Sequence, residues 1–172
     1  MPDSLPNIPE NPDFGTAIAL AHQLLALEPT DTVTQAIAQL VASRDGARGF
    51  FVTYLTSEEP WADQPPPALI AALRSQSMYV EDLMVRNLAM STAMVLTHER
   101  NADPAMAAQS QRVSRRSAEH LRQLESPSLR QLLQDLQQSL TGAGAFTDFL
   151  DRWGYDAEQR AAIASAIAPL FD

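Results

Sequence analysis

Apolar residues recur along this chain at helical spacing, most densely between Met78 and Arg100. Val80, Leu83, Met84, Leu88, Met94 and Val95 mark a buried stripe. From Leu88 to Leu96 the other faces carry Ala89, Met90, Ala93 and Leu96, so the pattern predicts a helix sealed from solvent on every side. Glu81, Asp82 and Arg86 precede this run, and His98, Glu99 and Arg100 follow it. The uncharged stretch is far shorter than the roughly 20 residues that span a bilayer. It predicts a core helix around which the rest packs.

Residues 1–12 hold four prolines and little apolar content, which predicts a mobile tail. A helix is expected from Asp13 or Thr16 to Glu28, with Phe14, Ile18, Ala21, Leu24 and Leu25 inward. Thr30 or Asp31 caps the next, where Val33, Ile37, Leu40 and Val41 keep the period. Arg44-Asp45-Gly46 reads as a break. Gly49 to Leu55 looks like a strand by propensity, but a lone strand has no pairing partner, so a helix from near Ala47 is expected instead. Residues 57–67 read as a loop whose proline triplet is a stiff connector into a short helix, Ala68 to Arg74.

Beyond the central helix, Asp103-Pro104 and Ser126-Pro127 are cap-then-proline starts. The short link at residue 102 makes the 78–100 helix and its successor antiparallel neighbours. Met106, Val113, Ser117, Leu121 and Leu124 should face inward on that successor. Leu129, Leu132, Leu133, Leu136 and Leu140 give the cleanest amphipathic stripe in the chain. Gly154 is expected to stop a short helix, and Asp156 with Gln159 resembles a capping box for the last one. The prediction is an all-α, single-domain bundle of about seven or eight helices over residues 13–172.

Composition narrows the chemistry. At 172 residues, with 45% hydrophobic content, a normal core is expected. The net charge of −9 disfavours nucleic acid and anionic membranes. The N-terminus has no apolar signal segment, so a cytoplasmic setting is expected. There is no cysteine, which excludes disulfides, thiol nucleophiles and Cys-ligated metals. All twelve cations are arginine, which excludes lysine Schiff bases and P-loop lysines. No cofactor is called for.

Three stretches, Asp45–Leu55 (DGARGFFVTYL), Asn87–Asn101 (NLAMSTAMVLTHERN) and Arg152–Arg160 (RWGYDAEQR), resemble a small uncharacterised family of photosynthetic bacteria. The resemblance implies a bacterial cytosolic setting and no particular activity.

Candidate sites are few. Asn87, Ser91 and His98 fall within about 40° of one another on the central helix. They could line a polar ligand cleft, although Asn87 and Ser91 could equally bond neighbouring backbone. His98-Glu99 and Glu119-His120 invite a metal site, but the hairpin geometry sets the two pairs roughly 20 Å apart, so none is expected. Arg112, Arg115 and Arg116 share a helical face suited to anions, with Glu119 placed for ordinary intrahelical pairing. Asp45-Gly46-Ala47-Arg48-Gly49 could hold an anion at a helix start, while turn chemistry also explains the glycines. The preferred reading is a non-catalytic interaction or regulatory module. Its partner is a protein, a second copy included, met through Trp61 and the Arg112/Arg115/Arg116 face. The alternative is a small-molecule binder or enzyme using Asn87, Ser91 and His98.

Overall fold

The computed structural model describes residues 4–172, so residues 1–3 of the expected tail lie outside the described residues. Among the described residues there are nine α-helices, two 3-10 turns and no strand. Chain contacts divide the described residues into two compact units, one up to Leu83 and the other Met84–Asp172.

The first unit contains α1 (Phe14–Leu25), α2 (Asp31–Leu40), α3 (Arg44–Tyr54), a 3-10 turn at Pro60–Ala62 and α4 (Pro67–Arg74). Each of the first three starts on a side chain that accepts an otherwise orphaned backbone N–H: Asp13 from Thr16, Thr30 from Val33, Ser43 from Gly46. The Ser43 cap corrects the expected break, because Arg44, Asp45 and Gly46 are the first turn of α3. Residues 49–54 are helical, as the lack of a strand partner required.

Gly49 lies at the crossing of α3 with α1, where a Cβ would sit 2.4 Å from Ala17 Cβ and 2.9 Å from the Ile18 nitrogen. Close approach, and not turn chemistry, is what this glycine serves. It brings Phe50, Phe51 and Tyr54, all fully buried, into one cluster. The rings of Phe50 and Tyr54 stack at 5.1 Å, and the Tyr54 hydroxyl donates to the Trp61 carbonyl at 2.7 Å. Burying side chains of this size contributes on the order of 2 kcal/mol each. Phe14, expected inside, stays at the surface beneath the Arg48 guanidinium.

Helix α5 (Ser77–Arg100) supplies residues to both units. In the second unit it is followed by α6 (Pro104–Leu124), α7 (Pro127–Thr141), α8 (Thr147–Trp153), α9 (Ala157–Ile167) and a 3-10 turn at Ala168–Phe171. Asp103 and Ser126 cap α6 and α7 ahead of their prolines. A 2.9 Å contact between the Thr92 and Ser114 hydroxyls joins α5 to α6 across their short link, as an antiparallel hairpin demands. Leu129, Leu133, Leu136 and Leu140 are buried on α7, while Leu132 is half-buried.

The seal expected around 88–96 is incomplete. Leu88, Ala89, Ser91 and Ala93 are buried, but Met90, Met94, Val95 and Leu96 are only half-buried. A helix about 10 Å across needs neighbours on every side to be enclosed, and here they close over Leu88, Ala89, Ser91 and Ala93 and leave Met90, Met94, Val95 and Leu96 partly uncovered. On α6, Met106 is exposed against expectation and Val113 only half-buried, while Ser117, Leu121 and Leu124 are buried as expected, joined by Ala107, Arg116 and His120. No described helix is long and apolar enough to cross a membrane.

Candidate functional site

The sequence-derived candidates do not converge. Ser91 is buried, and its hydroxyl donates to the Asn87 carbonyl at 2.6 Å, the bonding back onto the preceding turn that a helical serine commonly makes. Asn87 and His98 are half-buried, and none of the three lines either of the two clefts described below. The arginine face is split as well. Arg115 is exposed, Arg112 half-buried, and Arg116 buried and already engaged in an interaction. Trp61, expected at the surface, is only 6% exposed because Tyr54 packs edge-on against its ring at 6.4 Å. An indole in that position cannot be an exposed anchor.

His120 is fully buried, with Nδ1 2.6 Å from the Arg116 carbonyl. A carbonyl only accepts, so Nδ1 carries the proton. Burial pushes the His120 pKa below its ordinary value. Among the described residues no group of three His, Cys, Asp or Glu is placed to hold a metal ion.

What the fold does assemble is a cleft of about 380 Å³ beside the C-terminal half of α5. Met94, Thr97, Arg100 and Asn101 form one wall; Trp153, Gly154, Tyr155, Asp156 and Gln159 form the other. Gly154 ends α8 in the left-handed conformation, φ 65°, the stop expected from sequence. The chain can therefore reverse directly into the α9 cap, leaving Trp153 at the rim with 55% of its surface exposed. Among the described residues Trp153 is the most exposed aromatic side chain.

Gln159 holds the walls together. Its Oε1 accepts from the Asp156 N–H, completing the capping box, and its Nε2 donates to the Ala93 carbonyl at 3.1 Å and to Thr97 Oγ1 at 3.0 Å. Arg100 adds a fork, donating to Asp156 at 2.7 Å and to Glu158 at 2.5 Å. These bonds hold the Asp156 carboxyl below its usual range, the Arg100 hydrogen bond first and the Gln159 backbone second. Behind the cleft, Tyr155 packs on Phe149, and Arg86 lies over Phe146 and Phe149 at 4.9 and 5.0 Å. The Tyr155 hydroxyl is buried without a hydrogen-bond partner, and burial pushes its pKa up to about 12.

Sequence reasoning took Gln159 for a cap only and passed over Arg100 and Trp153. A signal for them existed: every residue lining the cleft falls within 87–101 or 152–160, two of the three stretches that carry the family resemblance. A second groove of about 260 Å³ lies on the α6–α7 side, lined in part by Leu121, Leu129 and Leu133.

A family model matches residues 13–170, and the chain belongs to that family, described as uncharacterised conserved protein UCP020893. No curated protein and no solved structure matches the chain.

Proposed function

From that membership and this geometry, we infer that the chain is a non-catalytic interaction module whose working surface is the Trp153 cleft. The observation that carries the reading is Trp153 itself. A tryptophan left largely in water, on a helix end fixed by its left-handed stop, is the kind of side chain that anchors protein interfaces. The cleft behind it is pre-formed, since Gln159 and Arg100 already hold its walls, and a pre-formed surface loses little entropy on binding. The partner is a protein, and the setting is the cytoplasm of a photosynthetic bacterium, as the sequence resemblance implies. The anchor moves from Trp61 and the Arg112/Arg115/Arg116 face to Trp153.

The reading is tested by native mass spectrometry of the protein recovered from its own source, comparing wild type with Trp153→Ala. Circular dichroism serves as the check that both are folded. A protein partner retained by wild type and lost from Trp153→Ala is the expected result. An identical retained set in both sinks the reading.

The small-molecule alternative also moves, from Asn87, Ser91 and His98 to this cleft. Its 380 Å³ falls within the roughly 300–1,000 Å³ typical of ligand pockets. In the same experiment a bound small mass in place of a protein would favour it.

A further inference from the structure

We propose that residues 154–160 form a strap that opens and closes as one unit, and that its opening dismantles the Trp153 cleft. The strap supplies Gly154, Tyr155, Asp156 and Gln159 of the wall facing α5, so the cleft exists only while the strap lies closed. This rests on reading the cleft as the working surface, and it adds how that surface is withdrawn.

The first support is what fastens the strap. Tyr155 and Gln159 are its two buried side chains, and the apolar anchors of α9, Ile163 and Ile167, come later in the helix. The Gln159 amide donates to the Ala93 carbonyl and to Thr97 Oγ1, while Arg100 pairs with Asp156 and Glu158, whose side chains are 49% and 68% exposed. Water replaces hydrogen bonds at small net cost, and ion pairs this exposed hold weakly. A segment fastened in this way opens before a core does. The second support is the Tyr155 hydroxyl, buried without a partner. Opening hydrates it, so this group favours the open state against the burial of its own ring on Phe149. The third is the hinge. Gly154 holds φ 65°, and no atom beyond its chain neighbours lies within 4 Å of where a Cβ would sit, which leaves the chain room to turn. Gln159 makes the motion collective. The amide that grips α5 also caps α9 through the Asp156 N–H, so losing either bond frees the side chain that makes the other. Arg160 Nε donates to the Tyr155 carbonyl and ties the two ends of the strap together.

The test is amide hydrogen exchange by NMR on the full chain, comparing wild type with Tyr155→Phe and Thr97→Val. The Asp156, Gln159 and Arg160 amides are each hydrogen-bonded in the closed strap. They should share one level of protection, below that of the Leu133 and Leu136 amides on α7. Tyr155→Phe should slow all three about fivefold, and Thr97→Val should speed all three about fivefold. Protection equal to that of Leu133 and Leu136 would mean that the strap opens only with global unfolding, and overturns the proposal. So does an absence of protection, a shift confined to one amide, or no shift in either variant. Exchange is read without a partner, so the two readings fail separately: a Trp153→Ala variant that keeps every wild-type partner sinks the docking reading and leaves the strap standing.

Discussion

Replacing Gly49 by alanine opposes two effects of known size. Alanine is the better helix former by about 1 kcal/mol, so in an open helix the change would stabilise. At Gly49 the new Cβ would lie 2.4 Å from Ala17 Cβ, 2.9 Å from the Ile18 nitrogen and 3.0 Å from the Ala17 carbonyl carbon. Two of these are backbone atoms of α1, which no rotamer change can move. The helices must separate, loosening the Phe50, Phe51 and Tyr54 cluster behind them, and overpacking of this kind costs about 1–3 kcal/mol. With two contacts under 3.0 Å the cost belongs in the upper part of that range, about 2–3 kcal/mol, and after the gain of about 1 kcal/mol in helix propensity a net loss of about 1–2 kcal/mol is expected. In a chain of this size that lowers Tm by about 2–8 °C. Urea and thermal unfolding measure it, with Gly15→Ala as control, because there the nearest atom is Asp13 Oδ1 at 3.6 Å. Gly49→Ala at or above wild-type stability would refute the close-packing account and return the Asp45–Gly49 glycines to the anion-turn reading.

Tyr155→Phe removes a buried hydroxyl that has no partner, so stability should hold or rise by about 1 kcal/mol; a clear loss in urea would mean the hydroxyl is satisfied. His120, its pKa lowered by burial, should titrate below 6.5 by NMR. Because the unfolded chain then binds the extra proton, wild type should lose stability as pH falls through about 6.5, and His120→Gln should lose less. A His120 midpoint at or above 6.5 would contradict this. For the Arg100 fork the folded pKa of Asp156 lies below its ordinary 3.8, so its contribution is present above about pH 4 and fades as pH falls through the lower folded value. The Tm gap between wild type and Arg100→Gln should therefore close in strong acid and persist at neutral pH; a gap constant across that range would be evidence against the fork.

Legibility followed the range of the interaction. Caps act within a turn, so Thr30, Asp103, Ser126 and the Asp156/Gln159 box could be read from spacing, as could the Gly154 stop. The 45–55 segment needed one long-range argument, that an unpaired strand leaves its backbone unsatisfied, and that argument outweighed local β propensity. Its start was misread because Gly46 looks like a turn residue, whereas Ser43 caps the helix on the Gly46 N–H and the glycine is packed against the Leu40 carbonyl at the end of α2.

The site was hidden for the same reason. Gln159 meets the capping spacing locally, yet its amide also reaches Ala93 and Thr97, more than sixty residues back along the chain. Arg100 and Trp153 carry no periodic signature, since one ends its helix and the other precedes a left-handed stop. The arginine face failed for a complementary reason. A helical wheel gives direction but not neighbours, so it groups Arg112, Arg115 and Arg116 although the fold buries the last and exposes the second. The same wheel enclosed Met94 in a core, whereas the fold turns it into a wall of the cleft. Apolar periodicity thus locates the helices, but whether an apolar residue ends inside or at a binding rim is decided by which neighbour fails to cover it. On α5 that uncovered side is where the two family-like segments meet.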